Sequence, residues 1–165
     1  MVGDFSVGKT SLIRRFVEGE FSDQYLSTVG VKISRKPVEV KGSKKPELVK
    51  AQLLIWDLEG STKFKAIAPS YLKGAAGALV VGDVTRPDTI EHLTDHINLF
   101  LSVNPAGLIM VALNKSDLVE ESKLTKLLDQ CQFEEQKEVL KTYATSAKTG
   151  DAVDDIFKTL ASQLI

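Results

Sequence analysis

The strongest constraint on the fold is a segment near the start of the chain, Gly3-Asp4-Phe5-Ser6-Val7-Gly8-Lys9-Thr10. It matches the pattern G-x-x-x-x-G-K-[ST], whose glycines let backbone N–H groups turn inward around phosphate oxygens. A helix is predicted directly after it, from about Lys9 to Glu18, because apolar residues recur there at helical spacing. The positive end of that helix would face the same anion. The segment therefore predicts a phosphate-binding loop between a strand and a helix.

Two side chains of this loop have predicted roles. Lys9 would reach the β- and γ-phosphates, and the Thr10 hydroxyl would bind Mg²⁺. The other residues expected to contact the nucleotide here are Phe5, Ser6, Val7, Gly8 and Ser11.

Only Met1 and Val2 precede the first glycine of the loop. A phosphate loop extends from a buried strand, and strands are usually about 5–6 residues long. We therefore expect either a truncated first strand or a native start upstream, with about five to ten residues missing. The intact mass of the protein from its native locus would test this expectation.

Further along, apolar strands alternate with amphipathic helices, which is typical of a mostly parallel α/β sheet. The exception is Val31 to Val40 and Leu48 to Trp56, which a short turn joins into an antiparallel hairpin. Pro37 places the first of these strands at an edge, where a missing N–H costs little. The chain has 165 residues, the length of one domain. The predicted fold is a three-layer α/β domain over residues 1–165, with a mostly parallel six-stranded sheet, an edge hairpin and helices on both faces.

Composition excludes several classes of protein. The net charge of −1, from 21 basic and 22 acidic side chains, argues against a nucleic-acid or polybasic membrane binder. The apolar run from Gly74 to Gly82 is far short of the roughly 20 residues that span a membrane. Cys131 is the single cysteine and fits a reducing compartment, and no C-terminal cysteine is present to carry a prenyl group. We expect a cytoplasmic protein without an intrinsic membrane anchor or a nucleic-acid partner.

The segment Asn114-Lys115-Ser116-Asp117 follows a predicted buried strand and has the form N-K-x-D. The Asp117 carboxylate only accepts hydrogen bonds, so it suits the N1–H and exocyclic NH₂ of guanine. Adenine has no such pair of adjacent donors and would leave a buried carboxylate unpaired. Asn114 would tie neighbouring loops together, and the Lys115 stem would cover the face of the base.

Three more segments complete the predicted site. Trp56-Asp57-Leu58-Glu59-Gly60 contains D-x-x-G, in which Asp57 would hold Mg²⁺ through water and the Gly60 N–H would meet the γ-phosphate. Thr28 would give a hydroxyl to Mg²⁺ when a γ-phosphate is present. Thr145-Ser146-Ala147-Lys148 would supply a backbone N–H for guanine O6 and a second lysine over the base. The predicted magnesium ligands are thus Thr10, Thr28 and Asp57.

In this order, the motifs resemble those of the Ras superfamily of small GTPases, over Gly3 to Ile165. The resemblance is closest to the Rab branch, through residues 27–31, 70–75 and 81–85. It implies a molecular switch that binds GTP or GDP with Mg²⁺, hydrolyses GTP and signals to partner proteins. Since no lipid site is present, a prokaryotic relative or the GTPase domain of a longer protein would also fit.

The resemblance also implies roles for residues that no motif here explains. Phe21 would lie edge-on to the guanine. Residues near 21–34 and 58–73 would form the two switch loops. An effector protein would bind these loops and an apolar triad made of Ile33, Trp56 and Tyr71. The resemblance does not identify an exchange factor or an activating protein.

The chain departs from the family pattern beside the γ-phosphate. Ser61 stands where the family has a glutamine that orients the attacking water, and serine is too short to do so. Phe5 replaces a small residue and would obstruct the water and an incoming arginine finger, and Glu59 adds a negative charge. The predicted catalytic set of Lys9, Thr28, Gly60 and Ser61 is therefore degenerate, and we expect tight nucleotide binding with slow hydrolysis.

Two other functions remain open. The same departures fit a pseudo-GTPase that stays bound to GTP and acts as a scaffold, whose partner affinity would not change between the GDP and GTP forms. A metabolic phosphate-loop kinase is disfavoured by Asp117 and by the short loops. Finally, His92 and His96 share a helix face and could form a metal pair, although the acidic residues around them favour a solvated face.

Overall fold

The computed structural model describes residues 1–24, 27–43, 47–60 and 68–165. The strands are β1 (Val2–Gly3), β2 (Val31–Lys41), β3 (Leu48–Leu58), β4 (Gly77–Asp83), β5 (Leu108–Asn114) and β6 (Val139–Ala144). The helices are α1 (Lys9–Glu18), α2 (Ala68–Leu72), α3 (Pro87–Glu91), α4 (Leu93–Val103), α5 (Glu121–Gln130) and α6 (Val153–Leu164), with a short 3₁₀ turn at Ser116–Leu118.

Four strands form a parallel sheet in the order β1-β4-β5-β6. Strands β4 and β5 are almost entirely buried, because helices cover both faces of a parallel sheet. Helices α1 and α6 pack on one face, where the Phe16 and Phe157 rings stack with centroids 4.2 Å apart. Helix α4 packs against β4 on the other face. The predicted α/β fold class is confirmed.

Strands β2 and β3 form the predicted antiparallel hairpin, with Val31 opposite Leu58 and Lys41 opposite Leu48. Within the described chain, the hydrogen-bonded ladders separate this hairpin from the four-stranded sheet instead of forming one sheet of six strands. Strand β1 has two residues, and in the described ladders it pairs with β4. The Met1 amine does reach the Trp56 carbonyl of β3 at 2.8 Å.

A second cavity, of about 440 Å³, is lined by Met1 and Val2 and by residues of β3, β4 and α6. Its walls are largely apolar and include Leu53, Leu79 and Phe157. The truncation of the first strand expected from the sequence stays a prediction.

Most helix and strand positions follow the sequence prediction, and two need comment. The stripe predicted as one helix is divided at His92 into α3 and α4. The short helix predicted around Phe64, Ile67 and Tyr71 has its described part at Ala68–Leu72, whereas Phe64 and Ile67 lie outside the described residues.

Candidate nucleotide site

A polar cavity of about 290 Å³ lies at the edge of the sheet where β1, β4 and β5 end. Ligands of open parallel sheets bind at this edge, beyond the carboxyl ends of the strands. The structure brings almost every residue singled out from the sequence to this cavity. Its walls include Phe5, Ser6, Gly8, Lys9, Thr10, Ser11, Phe21, Thr28, Gly60, Asn114, Lys115, Asp117, Ala147 and Lys148.

The phosphate loop follows a path that requires glycine at both ends. Gly3 has a φ of 149°, and a Cβ there would stand 2.4 Å from the Val81 carbonyl oxygen. Gly8 has a φ of 99°, and a Cβ there would meet the Asn114 amide nitrogen at 2.3 Å. Val7 is fully buried beneath the loop. The pattern thus reflects both a left-handed backbone and a close approach of neighbouring groups.

The Lys9 side chain lies along the inside of the loop. Its ammonium donates hydrogen bonds to the Gly3 carbonyl at 2.8 Å and to the Asp4 carbonyl at 2.7 Å. Burial lowers the pKa of Lys9 to about 8, against the opposing effect of the Asp57 and Asp4 carboxylates. A bound phosphate would supply the negative charge that this buried cation lacks.

Three predicted magnesium ligands converge from three different segments. The Thr10 hydroxyl lies 2.5 Å from both the Thr28 hydroxyl and Asp57 Oδ2. Thr28 also donates to Asp57 Oδ2 at 3.2 Å. Asp57 Oδ1 is buried and has no hydrogen-bond partner among the described residues. This set of oxygen atoms, with one orphaned carboxylate oxygen, fits the preference of Mg²⁺ for hard oxygen ligands.

Gly60 packs directly against the phosphate loop. A Cβ at this position would stand 2.6 Å from both Lys9 Nζ and the Phe5 nitrogen. Only glycine can approach so closely, so the D-x-x-G segment reaches the loop because it lacks a side chain there. Ser61, which follows, lies outside the described residues.

Asn114 joins three segments on the opposite side of the cavity. Its amide donates to the Val7 carbonyl at 3.0 Å, and its side-chain oxygen accepts from the Thr145 hydroxyl and the Ala147 N–H. The side chain is buried. It ties the phosphate loop to the loop after β6, as the sequence predicted.

Asp117 and Ser146 lie next to each other beyond Asn114. The fully buried Ser146 donates its hydroxyl proton to Asp117 Oδ1 at 2.7 Å. A carboxylate has two oxygens and about four acceptor sites. Asp117 therefore retains acceptor capacity toward the cavity, which its side chain lines.

Lys115 is held from two directions at the start of the 3₁₀ turn. Its ammonium donates to the Ser6 carbonyl at 3.0 Å and pairs with the Asp83 carboxylate at 2.6 Å. Burial alone would raise the pKa of Asp83, but hydrogen bonds from Lys115 and Thr85 outweigh burial and lower it. These contacts stretch the lysine stem along one wall of the cavity.

Arg15 on α1 supports the last predicted segment. Its guanidinium donates to the Ala147 carbonyl at 2.8 Å and to the Lys148 carbonyl. Helix α1 and the loop after β6 are thereby fixed relative to each other. Phe21 is partly buried against the core and forms part of the cavity wall.

Sequence reasoning missed a cluster on the outer face of the phosphate loop. Asp4 accepts hydrogen bonds from His92 Nδ1 at 2.5 Å and from His96 Nε2 at 2.8 Å. Burial would raise the pKa of Asp4, but these two hydrogen bonds outweigh burial and lower it. The predicted solvated face is wrong for His96, which is 8% exposed. The helical spacing of the histidines was visible, but no sequence signal linked them to Asp4.

Arg86 was also missed. Its guanidinium donates to the Phe5 carbonyl at 2.8 Å. Phe5 is 46% exposed and lines the cavity. The departure from a small residue at this position therefore places an aromatic ring at the nucleotide cavity.

The Glu59 carboxylate accepts a hydrogen bond from the Gly30 N–H at 2.8 Å. Glu59 is absent from the walls of the cavity, which Leu58 and Gly60 on either side of it do line. The charge expected beside the phosphates is thus directed at the segment that precedes β2.

The predicted effector triad is accessible on the surface. Ile33 is 51% exposed, Trp56 40% and Tyr71 41%. Ile33 and Trp56 face each other across the hairpin. The switch segments 21–34 and 58–73 are described except for residues 25–26 and 61–67.

Comparison with known proteins decides the family. The family model described as "Ras family" matches residues 1–165. The chain belongs to the Ras family. It is similar to GTP-binding protein ypt4 of Schizosaccharomyces pombe, with 31% identity over all of this chain and 70% of the relative. It is also similar to Ras-related protein Rab-19 of Xenopus laevis (33%, 75% of that protein) and Rab-13 of Mesocricetus auratus (32%, 78%), again over the whole chain.

The resemblance to Rab proteins drawn from the motifs is therefore confirmed. Membership of the Ras family supports a GTP-binding switch with GTPase activity. Within the ranges that the structure describes, no helix is long and apolar enough to cross a membrane.

Proposed function

We propose that this Ras-family chain binds GTP and GDP with Mg²⁺ and hydrolyses GTP slowly. The observation that carries the proposal is a single cavity with Lys9 at one end and Asp117 at the other. A cation and backbone N–H groups suit phosphates, and an acceptor-only carboxylate suits the paired donors of guanine. Guanine nucleotides carry both groups, the phosphates and the paired donors of the base.

At the base end, Asp117 would accept from the guanine N1–H and NH₂, with Ser146 holding the carboxylate in place. Lys115 and Lys148 would cover the faces of the base, and the Ala147 N–H would donate to O6. Phe21 would contact the ring edge. Specificity would come from the acceptor capacity of Asp117 that Ser146 leaves unused, which adenine could not satisfy.

At the phosphate end, Lys9 would exchange the Gly3 and Asp4 carbonyls for phosphate oxygens. Thr10, Thr28 and Asp57 would hold Mg²⁺, with Asp57 acting through water. Bound Mg²⁺ neutralises charge on the phosphates. The Gly60 N–H would bind the γ-phosphate, so that ordering of the two switch loops follows the presence of that group.

Slow hydrolysis is proposed because the group that should orient water is missing. Ser61 stands where the family has glutamine, and the Phe5 side chain, which lines the cavity, would occupy space beside the terminal phosphate. An activating arginine and a positioned glutamine are together worth about 10³–10⁵ in rate.

The alternative is a pseudo-GTPase that stays bound to GTP and acts as a scaffold. The contact between Glu59 and Gly30 favours it, because that contact joins the switch segments through protein atoms. In both cases we propose that an effector protein binds the switch loops together with Ile33, Trp56 and Tyr71, in a reducing, cytoplasmic compartment.

The first experiment is to purify the protein gently, denature it and identify the released nucleotide by ion-exchange chromatography. A stoichiometric guanine nucleotide supports the site, and GTP in place of GDP supports stalled hydrolysis. Protein that neither retains nor takes up guanine nucleotide would contradict the proposal. Single-turnover phosphate release then separates a slow GTPase from a scaffold without turnover.

A further inference from the structure

Glu59 and Gly30 form a reciprocal pair of hydrogen bonds, which we call the Glu59 clamp. The Glu59 carboxylate accepts the Gly30 N–H at 2.8 Å, and the Glu59 N–H donates to the Gly30 carbonyl at 2.9 Å. We infer that Glu59 is a positioning residue that holds Thr28 at the magnesium site in both nucleotide forms. The inference rests on the proposed function and adds a means of regulation to it.

The clamp lies between the hairpin ladder and Thr28. Strand β2 begins at Val31, which pairs with Leu58, so the Glu59 backbone bond extends that ladder by one step. The carboxylate bond is a further contact that no ladder requires. Because it has a charged acceptor, it is stronger than a bond between neutral groups.

Gly30 has a backbone that suits this role. Its φ is 71°, in the left-handed region, while a Cβ there would meet no atom within 4 Å. Glycine is therefore favoured here by the left-handed backbone conformation and not by a lack of space for a side chain. Any other residue would strain the turn that presents the N–H to Glu59.

Anchoring Gly30 restricts Thr28. Two residues of extended chain span at most about 7 Å. The Thr28 hydroxyl is already within hydrogen-bond distance of Thr10 and Asp57. Holding Gly30 in place therefore keeps this hydroxyl near the magnesium ligands.

The clamp consists of protein atoms alone, so it does not need a γ-phosphate. A ligand shifts a conformational equilibrium only as far as it favours one state over the other. A contact that stabilises the ordered loop in both forms leaves GTP less ordering to add. We therefore expect the switch segment at residues 27–31 to remain ordered with GDP, and a partner that binds it to discriminate weakly.

The test is hydrogen exchange over residues 27–31, with the protein bound to GDP or to a non-hydrolysable GTP analogue. Wild type should exchange at similar rates in the two forms, within about threefold. Glu59→Ala should raise exchange in the GDP form about tenfold or more, because a bond to a charged group is lost. Glu59→Gln keeps an acceptor without the charge and should fall between them.

Glu39→Gln and Glu39→Ala are the matched controls. Glu39 lies on the same hairpin and pairs at the surface with Lys50 at 3.3 Å. Both variants make the same change of charge and should leave exchange at residues 27–31 unchanged.

A second readout is the ratio of GTP-analogue to GDP affinity, which Glu59→Ala should lower several-fold, because the analogue would then have to order the segment that the clamp holds in wild type. The inference is overturned if wild type already exchanges about tenfold faster with GDP than with the analogue, or if Glu59→Ala changes neither readout. Loss of guanine-nucleotide binding by wild type would contradict the proposed function instead. In that case the clamp is tested in nucleotide-free protein, where Glu59→Ala must still increase hydrogen exchange at the Gly30 amide.

Discussion

The two ends of the nucleotide cavity are built differently. At the base end, Asn114 and Ser146 hold their neighbours through hydrogen bonds that a bound base would leave intact. At the phosphate end, Lys9 donates to loop carbonyls, and the Thr10 and Thr28 hydroxyls point at Asp57. A phosphate and its metal would have to replace those contacts.

This difference implies that the base end would recognise the ligand and that the phosphate end would change its contacts when the ligand binds. The base end is held by protein contacts, so it would select guanine, as proposed, without moving, which would lower the entropy cost of binding. The phosphate end consists of groups that exchange partners, so its arrangement depends on which phosphates are present. The departures from the family pattern at Phe5, Glu59 and Ser61 all lie in or directly after the two sequence motifs assigned to the phosphates.

The largest expected effect comes from Lys9→Met, which keeps the length of the side chain and removes its charge. Loss of two charge-assisted contacts to phosphate, each worth about 1.5–3 kcal/mol, should weaken nucleotide binding by roughly 10²–10⁴. Titration with a fluorescent guanine nucleotide measures this. Binding within tenfold of wild type would mean that Lys9 does not meet phosphate.

The same variant tests the buried charge. Since the pKa of Lys9 falls from 10.5 to about 8 on folding, the unfolded chain binds more protons between these values. The contribution of Lys9 to stability therefore rises with pH across that window. Between pH 7 and pH 10, nucleotide-free wild type should gain roughly 2 kcal/mol relative to Lys9→Met in denaturant unfolding. A constant difference would argue against the shift.

Asp117→Ala should come next in size and act only at the base end. Wild type should prefer GDP over inosine diphosphate, which lacks the exocyclic NH₂, by roughly 10–100-fold. The variant should bind GDP about 10²-fold more weakly and lose this preference. Competition binding with both nucleotides measures it, and a preference that survives would place base recognition elsewhere.

Ser61→Gln should affect hydrolysis without affecting binding. Restoring a side chain that can orient water should accelerate single-turnover phosphate release about tenfold or more. Combining it with Phe5→Gly should add to the gain if the ring obstructs the water. Glutamine with no effect in either background would show that hydrolysis is limited by another group.

The smallest effect is expected from His96→Ala, outside the cavity. Loss of the hydrogen bond to Asp4 should cost about 1–2 kcal/mol of stability at neutral pH. Because the pKa of Asp4 is lowered in the folded protein, its contribution to stability is present above the unfolded pKa and is lost as pH falls. The variant should lose less stability than wild type between pH 5 and pH 3, as thermal unfolding would measure.

Much of the fold could be predicted because its signals are local. The helix from Lys9 to Glu18 and the hairpin follow from spacing over a few residues. The break at His92 could not be predicted, because the apolar stripe continues through it and the contact of His92 with Asp4 joins distant parts of the chain.

The site was predictable where a motif carries its own chemistry. Residue type and spacing alone predicted Lys9 and Asp117 as site residues, and both line the cavity, while their roles stay predictions. Contacts between distant segments could not: nothing near Asp4 points to His96, and nothing near Glu59 points to Gly30. The sequence identified Glu59 as unusual. The direction of its side chain could not be predicted, because it depends on the backbone geometry at the start of the hairpin.

The bonds of Arg15 to the loop after β6 join residues 132 and 133 positions apart. Such distant contacts form late, since much chain must be ordered before they close. Synthesis proceeds from the N-terminus at about 5–20 residues per second, so the phosphate loop leaves the ribosome several seconds before the segment that completes the base end. A nascent chain can therefore complete the cavity only after the segment around Ala147 and Lys148 has been synthesised.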